Sequence, residues 1–241
     1  YGFNEIFSRI CGCIRQVYAK IMSVRIATII GATGLIGNHL LQILQKDDHF
    51  TTIRVLVRRP FAGTNFKTEV KLIDFNDPES FKLGIDGSHT VFCAVGTTQK
   101  KVNGDNKAYR KVDYDIAVHA ARYGKETGCN QFLLVSSVGA DAKSNFFYLR
   151  MKGEIEQEVG SLKLHSVSLF RPSLLLGARS EKRAGEGITG WAMKKISFLL
   201  PERYKAIAAP EVALCMVQAS KKEMPGVSVY EYSEMKELLP G

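Results

Sequence analysis

Two apolar patterns alternate along this chain. In the string "VRIATIIGATGLIGNHLLQILQKD", residues Ile26 to Ile30 form a largely apolar run without alternation. That pattern predicts a strand buried on both faces. A turn with three glycines follows. Then Leu35, Ile36, Leu40, Leu41 and Leu44 recur at helical spacing and predict an amphipathic helix.

The pairing of strand with helix repeats. Strands read at "TIRVLVRR", "EVKLIDFND", "GSHTVFCAVGTT", "CNQFLLVSSVGA" and "SVSLFRPSLLLG". Helices read at "VDYDIAVHAARYGKETG", ending at Gly128, and at "NFFYLRMKGEIEQEVGSL". This order predicts an α/β fold, a doubly wound parallel sheet of Rossmann type covered on both faces.

Residues 22–177 carry that pattern. After Gly177 it loosens, and residues 178–241 read as a small C-terminal segment packed on the same domain at the substrate side. "ARSEKRAGEG" is a charged loop, and "ITGWAMKKISFLLP" an amphipathic helix stopped by Pro201. "APEVALCMVQASKK" is a helix with Pro210 in its first turn, and "VSVYEYSEMKEL" a strand followed by a helical turn. Residues 1–21 stand apart. They are amphipathic and basic, with Ile6, Ile10, Ile14 and Val17 near helical spacing and Arg9, Arg15 and Lys20 between them. Three readings are open: a helix packed on the domain or on a membrane surface, a targeting extension, or sequence preceding a start at Met22. The third is preferred, because the next element needs nothing before it.

Composition adds little that is specific. Of 241 residues 45% are hydrophobic, enough for a sizeable core, and no apolar run of membrane-spanning length occurs. Net charge is +9, but the cations are spread along the chain with no nucleic-acid motif. An anionic cofactor and a solvated surface account for the charge, so no nucleic-acid partner is expected. Cys93 and Cys129 sit in or beside strand-like runs and read as core residues, while Cys11 and Cys13 lack a second ligand pair. These cysteines point to a reducing, cytoplasmic compartment. His39, His49, His89, His119 and His165 are scattered, so no metal site is expected.

The turn "GATGLIG" places Gly31, Gly34 and Gly37 between a strand and a helix. Glycines there let the backbone turn and approach a pyrophosphate, which the helix N-terminus attracts. Thr33, Leu35 and Ile36 are drawn into the same loop. After the second strand, where a carboxylate would bind the ribose 2′-OH of NAD(H), stand Arg58 and Arg59. A guanidinium suits a 2′-phosphate, so NADP(H) is expected, with NAD(H) less so. Asp74 and Phe75 end the third strand, placed for an adenine ring or for a simple turn. Gly96 and Thr97 end the fourth, where backbone passes close to a cofactor.

"GATGLIG", "CAVGTT", "LLVSSVGA", "YLRMK" and "FRPSLLLG", in this order, resemble the short-chain dehydrogenase/reductase superfamily. The block "SSVGADAKSNFFYLRMKGEIE" is similar to its atypical or extended branch, which includes the Tat-interactive protein oxidoreductase and related bacterial NAD(P)-binding proteins. The likeness covers Val24 to Gly177 well and the tail loosely. It implies that Tyr148 is the general acid/base, that Ser137, or Ser136, bonds the substrate oxygen, and that Lys152 binds the nicotinamide ribose. The residue types agree. A tyrosine titrates near pKa ~10, a nearby cation lowers that value, and positions four apart share a helix face. Pro172, after Arg171, matches a feature near the nicotinamide carboxamide, although a strand end turned by proline explains Arg171 as well. The superfamily's relay asparagine is replaced by Asp113, and the gap from Ser137 to Tyr148 is short.

The expected activity is an NADP(H)-dependent oxidoreductase interconverting a carbonyl and an alcohol on a small or medium substrate. A non-catalytic NADP(H)-binding redox sensor is one alternative. A nucleotide-sugar epimerase or dehydratase is another, though the tail is small for a sugar lobe. Monomer and homodimer both remain open.

Overall fold

The computed structural model describes residues 24–63, 65–176 and 201–240. The segment 1–21, the charged loop 178–187 and the helix expected over 188–200 lie outside the described residues.

A seven-stranded parallel sheet forms the centre. Its strands are β1 (Ile26–Ile30), β2 (Thr52–Val57), β3 (Thr68–Leu72), β4 (Thr90–Cys93), β5 (Gln131–Val135), β6 (Ser166–Phe170) and β9 (Gly226–Tyr230). They lie in the order β3-β2-β1-β4-β5-β6-β9. The chain steps outward from β1 through β2 to β3, then returns to β4 on the other side of β1. That reversal opens a crevice above the C-terminal ends of β1 and β4, where ligands of such sheets bind.

Helices cover both faces, so the central strands need no polar face. Helices α1 (Leu35–Leu44) and α6 (Ala209–Lys222) pack together on one side. They enclose Ile29, Ile53, Val55, Phe92 and Phe170. Helices α2 (Pro78–Ile85), α4 (Ile116–Glu126) and α5 (Phe147–Ser161) cover the other side, over Ile30, Leu56, Val91, Phe132 and Leu134. Ile29 and Ile30 therefore belong to different cores, which explains a strand without alternation. Phe50, Phe92, Phe132 and Phe170 are wholly buried, each stabilising by roughly 1.5–3 kcal/mol.

Several boundaries differ from expectation. β3 ends at Leu72, so Asp74 and Phe75 lie in the turn beyond it. That turn leads to α2, which the sequence reading left out, although Asp77 caps it by accepting from the Glu79 amide and Pro78 fits its first turn. β4 ends at Cys93, leaving Gly96 and Thr97 in the following loop. The next helix starts earlier than expected, as α3 (Asn106–Arg110), capped by Asp105. It runs through a π-helical turn, Lys111–Asp115, into α4. β6 stops at Phe170 because Pro172 has no N–H to continue a ladder. A short strand β7 (Leu175–Leu176) then pairs with β8 (Ile207–Ala208).

The tail returns to the main sheet. β9 pairs with β6 from Ser166↔Gly226 to Phe170↔Tyr230, and the Tyr230 ring stacks on Phe170 at 4.8 Å. Helix α7 (Tyr232–Leu238) follows, burying Met235 and Leu238.

Candidate active site

The glycine turn is built for close approach. Gly31 has φ +92°, a conformation that side chains resist. A Cβ there would lie 2.7 Å from the Ala94 carbonyl. A Cβ on Gly37 would lie 2.1 Å from the Gly31 oxygen, so the helix can sit on the turn only without one. α1 begins at Gly34 with no side-chain cap and no acidic residue in its first turn. Its leading amides and partial positive charge suit an anion. Ile36 is buried and Leu35 packs beside it, so they anchor the helix and offer only backbone; Thr33 is exposed.

Arg58 and Arg59 lie just past β2 and are both exposed. Arg58 borders a cavity of about 380 Å³, shared with Phe75, Asn76, Lys111, Val112 and Ile116. Asp74 is a turn residue. Its Oδ1 accepts from the Asn76 amide at 2.9 Å and the Asn76 side chain at 2.8 Å, which hold its carboxyl below the usual range. Phe75 meets Phe81 edge-on at 4.8 Å.

Tyr148 and Lys152 share one face of α5. Tyr148 is 39% exposed and Lys152 is buried, with its ammonium 5.9 Å from the Tyr148 ring centre. Behind them the π-helical turn delivers Asp113, itself buried. Asp113 Oδ2 is 3.3 Å from Lys152 Nζ, and Oδ1 accepts from the Thr97 amide at 2.7 Å. The Thr97 carbonyl in turn accepts from Tyr109 Oη at 3.1 Å, and the Tyr109 ring stands edge-on to Tyr148 at 6.4 Å. One circuit thus ties the loop after β4 to both residues of α5. Tyr109 carried no signal in the sequence, because its partners lie 12 and 39 residues away.

The two serines after β5 have different surroundings. Ser136 is 4% exposed and its hydroxyl donates to Glu156 Oε1 at 2.5 Å, so it is turned into the protein. Ser137 is less buried and makes only a long bond, 3.3 Å, to the Val138 carbonyl. Glu156 also holds Arg171 in a two-pronged pair, Oε1 to Nε at 3.0 Å and Oε2 to Nη2 at 2.5 Å, and Glu231 approaches Arg171 from the tail. Arg171 is therefore committed to ion pairs. Pro172 is buried and its carbonyl accepts from the Val138 amide. Sequence reasoning missed Glu156, although it follows Tyr148 and Lys152 at i+8 and i+4 as a charge on a buried helix face.

The loop after Ser137 lies directly on α5. A Cβ on Gly153 would fall 2.1 Å from the Ala142 amide nitrogen, and Asp141 donates its own amide to the Leu149 carbonyl.

A glycine cradle at the switch point of a doubly wound sheet is the arrangement of a dinucleotide-binding protein. Residues 31–167 match the family described as NAD(P)H-binding. Protein HTATIP2 of Rattus norvegicus is 34% identical over 217 residues, 88% of this chain and 86% of that protein. The mitochondrial protein FMP52 of Saccharomyces cerevisiae is 35% identical over 162 residues, 66% of this chain and 70% of that protein. The chain belongs to the NAD(P)H-binding family and is a relative of HTATIP2 and FMP52. Solved structures share its fold: MoeE5 in complex with UDP-glucose and NAD superposes with a TM-score of 0.64 at 13% identity, covering 88% of this chain and 79% of that one. The UDP-N-acetylglucosamine 4-epimerase from Bacillus cereus gives 0.63 at 14%, covering 86% and 79%.

The expectation of a cytoplasmic location is overturned by the FMP52 relatives, which are mitochondrial proteins in Debaryomyces hansenii, Candida albicans and Saccharomyces cerevisiae. Cysteine usage misled for a physical reason. Cys93, Cys129 and Cys215 are buried free thiols, and burial pushes each up to about 12. Such thiols are inert wherever they reside, so they report packing and not compartment. Among the described residues no helix is long and apolar enough to cross a membrane.

Proposed function

We propose that this protein is an NADP(H)-dependent oxidoreductase that interconverts a carbonyl and an alcohol on a small or medium substrate. The observation that carries the reading is the Tyr148–Lys152 pair on α5, facing the loop that follows β4. The residues present fit the dinucleotide: a cradle at Gly31 and Gly37 that a Cβ would fill, an uncapped helix start at Gly34, and Arg58 beside a cavity past β2. When bound, the nicotinamide supplies or accepts the hydride. Tyr148, partly open to solvent, gives a proton to the substrate oxygen or takes it back. Ser137 donates a hydrogen bond to that oxygen and fixes its place. Lys152 holds the nicotinamide ribose and sets a positive charge beside the phenol. Arg58 pairs with the 2′-phosphate.

The test begins with thermal shift in NADPH and in NADH, followed by a panel of carbonyl compounds watched at the NADPH absorbance. Tyr148→Phe should abolish turnover and keep NADPH binding. A Tyr148→Phe variant that turns over like the parent ends this reading.

We further propose a mitochondrial address, by likeness to FMP52. Residues 1–21 support it, with Arg9, Arg15 and Lys20 against a single acidic residue, Glu5, in an amphipathic pattern. Residues 1–23 fused to a fluorescent protein should direct it to mitochondria, while a diffuse signal from both this fusion and the full chain argues against the address.

A further inference from the structure

Lys152 and Asp113 are both buried, with side chains 5% and 2% exposed and charged atoms 3.3 Å apart. The carboxylate is held in place, because its other oxygen takes the Thr97 amide. Little else there carries charge. Cys93, at the end of β4, faces the pair, but burial pushes its thiol up to about 12 and it stays neutral. Tyr148 faces Lys152 from its own helix. Glu156, one turn further along that helix, is taken up by Ser136 and Arg171.

A lysine so buried, if left alone, would shed its proton at a lower pH than an exposed one. Burial does work against the charge of Lys152, but the Asp113 carboxylate, helped by Tyr148, outweighs it and holds the ammonium above its ordinary value. Burial lifts the carboxyl of Asp113, and Lys152 with the Thr97 amide pulls it back. Each charge is stable where it stands because of the other.

We propose that Asp113 is the fixed counter-ion of Lys152, a positioning residue that keeps this ammonium charged and available to the nicotinamide ribose across the working pH range. The proposal rests on the oxidoreductase reading of the site. It gives Asp113 a part that a neutral asparagine of the same shape would not play.

The experiment is an NADPH titration by fluorescence between pH 6.5 and 9.5, using the full chain and Asp113→Asn, Asp113→Glu and Lys152→Met. The parent and Asp113→Glu should bind with little pH dependence. Asp113→Asn should bind like the parent at pH 6.5, then weaken by about tenfold or more as pH rises, converging on Lys152→Met once Lys152 is neutral. Asp113→Asn tracking the parent at every pH overturns the proposal. So does Asp113→Asn binding weakly and evenly at every pH, which reports a damaged pocket and not a lost charge. A parent that binds neither NADPH nor NADH refutes the functional reading itself and is told apart by that result. Should Asp113→Asn fail to fold, lysine labelled at Cε with ¹³C in the parent serves instead. Its Lys152 signal, assigned with Lys152→Met, should keep the charged shift to pH 9.5, and a transition below pH 8 would sink the idea.

Discussion

The hydroxyl of Ser136 donates to the carboxylate of Glu156 at 2.5 Å inside the protein, while its neighbour Ser137 has only a carbonyl 3.3 Å away. Two adjacent serines thus have separable tasks. Ser137→Ala should lower turnover on a carbonyl substrate at least tenfold with NADPH binding intact. Ser136→Ala should lower stability by about 1.5–3 kcal/mol, the range for a buried hydrogen bond to a charge. Urea unfolding and initial rates check both, and interchanged phenotypes would reverse the assignment.

Glu156 is 7% exposed and depends on Arg171 for compensation. Arg171→Met should cost roughly 3–5 kcal/mol, because it strands a buried carboxylate. Adding Glu156→Gln should recover a good part of that loss. A double variant no more stable than Arg171→Met would show that the pair is not coupled as the geometry has it.

Gly153 is where the Ser137 loop rests on α5. In Gly153→Ala the new methyl meets the Ala142 amide nitrogen, so the loop must lift. Overpacking of this kind costs about 1–3 kcal/mol. Turnover should fall further than NADPH affinity, because the loop carries Ser137 and not the glycine cradle. Equal losses in the two would detach the loop from catalysis.

Arg58 stands exposed at the cavity beyond β2. Arg58→Asp should weaken NADPH about tenfold or more, as for loss of a charge-assisted pair, while NADH changes little. Fluorescence titrations with the two nucleotides decide it, and a matched loss removes Arg58 from the 2′-phosphate.

Asp47 closes the end of α1 onto Lys221 at the end of α6, 2.5 Å away. Burial opposes its charge, but Lys221 and the His49 amide outweigh that and hold the carboxyl below its ordinary value. A carboxyl lowered on folding stabilises the fold above its unfolded value, and that contribution is lost as pH falls through the folded one. The Asp47 share is therefore full at neutral pH and drains below about pH 4. Melting temperature against pH should show a shallower acid limb in Asp47→Asn; curves running parallel down to pH 2 would contradict this.

What the sequence revealed depended on how local its causes were. β1 and α1 were legible because their apolar patterns reflect burial on two faces and on one. Tyr148 and Lys152 were legible as a pair because four residues is one helical turn. α2 was hidden, since its eight residues turn only Phe81, Gly84 and Ile85 inward and follow directly on a strand-like string. The Ser136–Glu156–Arg171–Glu231 chain was hidden for another reason. Its members are 15 to 60 residues apart, and nothing in the spacing announces who meets whom. Asp113 was visible as a departure from its superfamily, but its bond to Lys152 needed the π-helical turn that aims it inward.

β9 completes the sheet beside β6 across the 55 residues 171–225, and Glu231, just past β9, reaches back to Arg171. Pairings this distant in sequence form late, after the entropy of closing the intervening chain has been met. The strand end that borders Ser137 is thus finished by a segment that lies far along the chain from it. The glycine cradle draws on neighbours close in sequence, whereas the corner beside Ser137 waits for this distant strand, so the two halves of the crevice are set at different stages of folding.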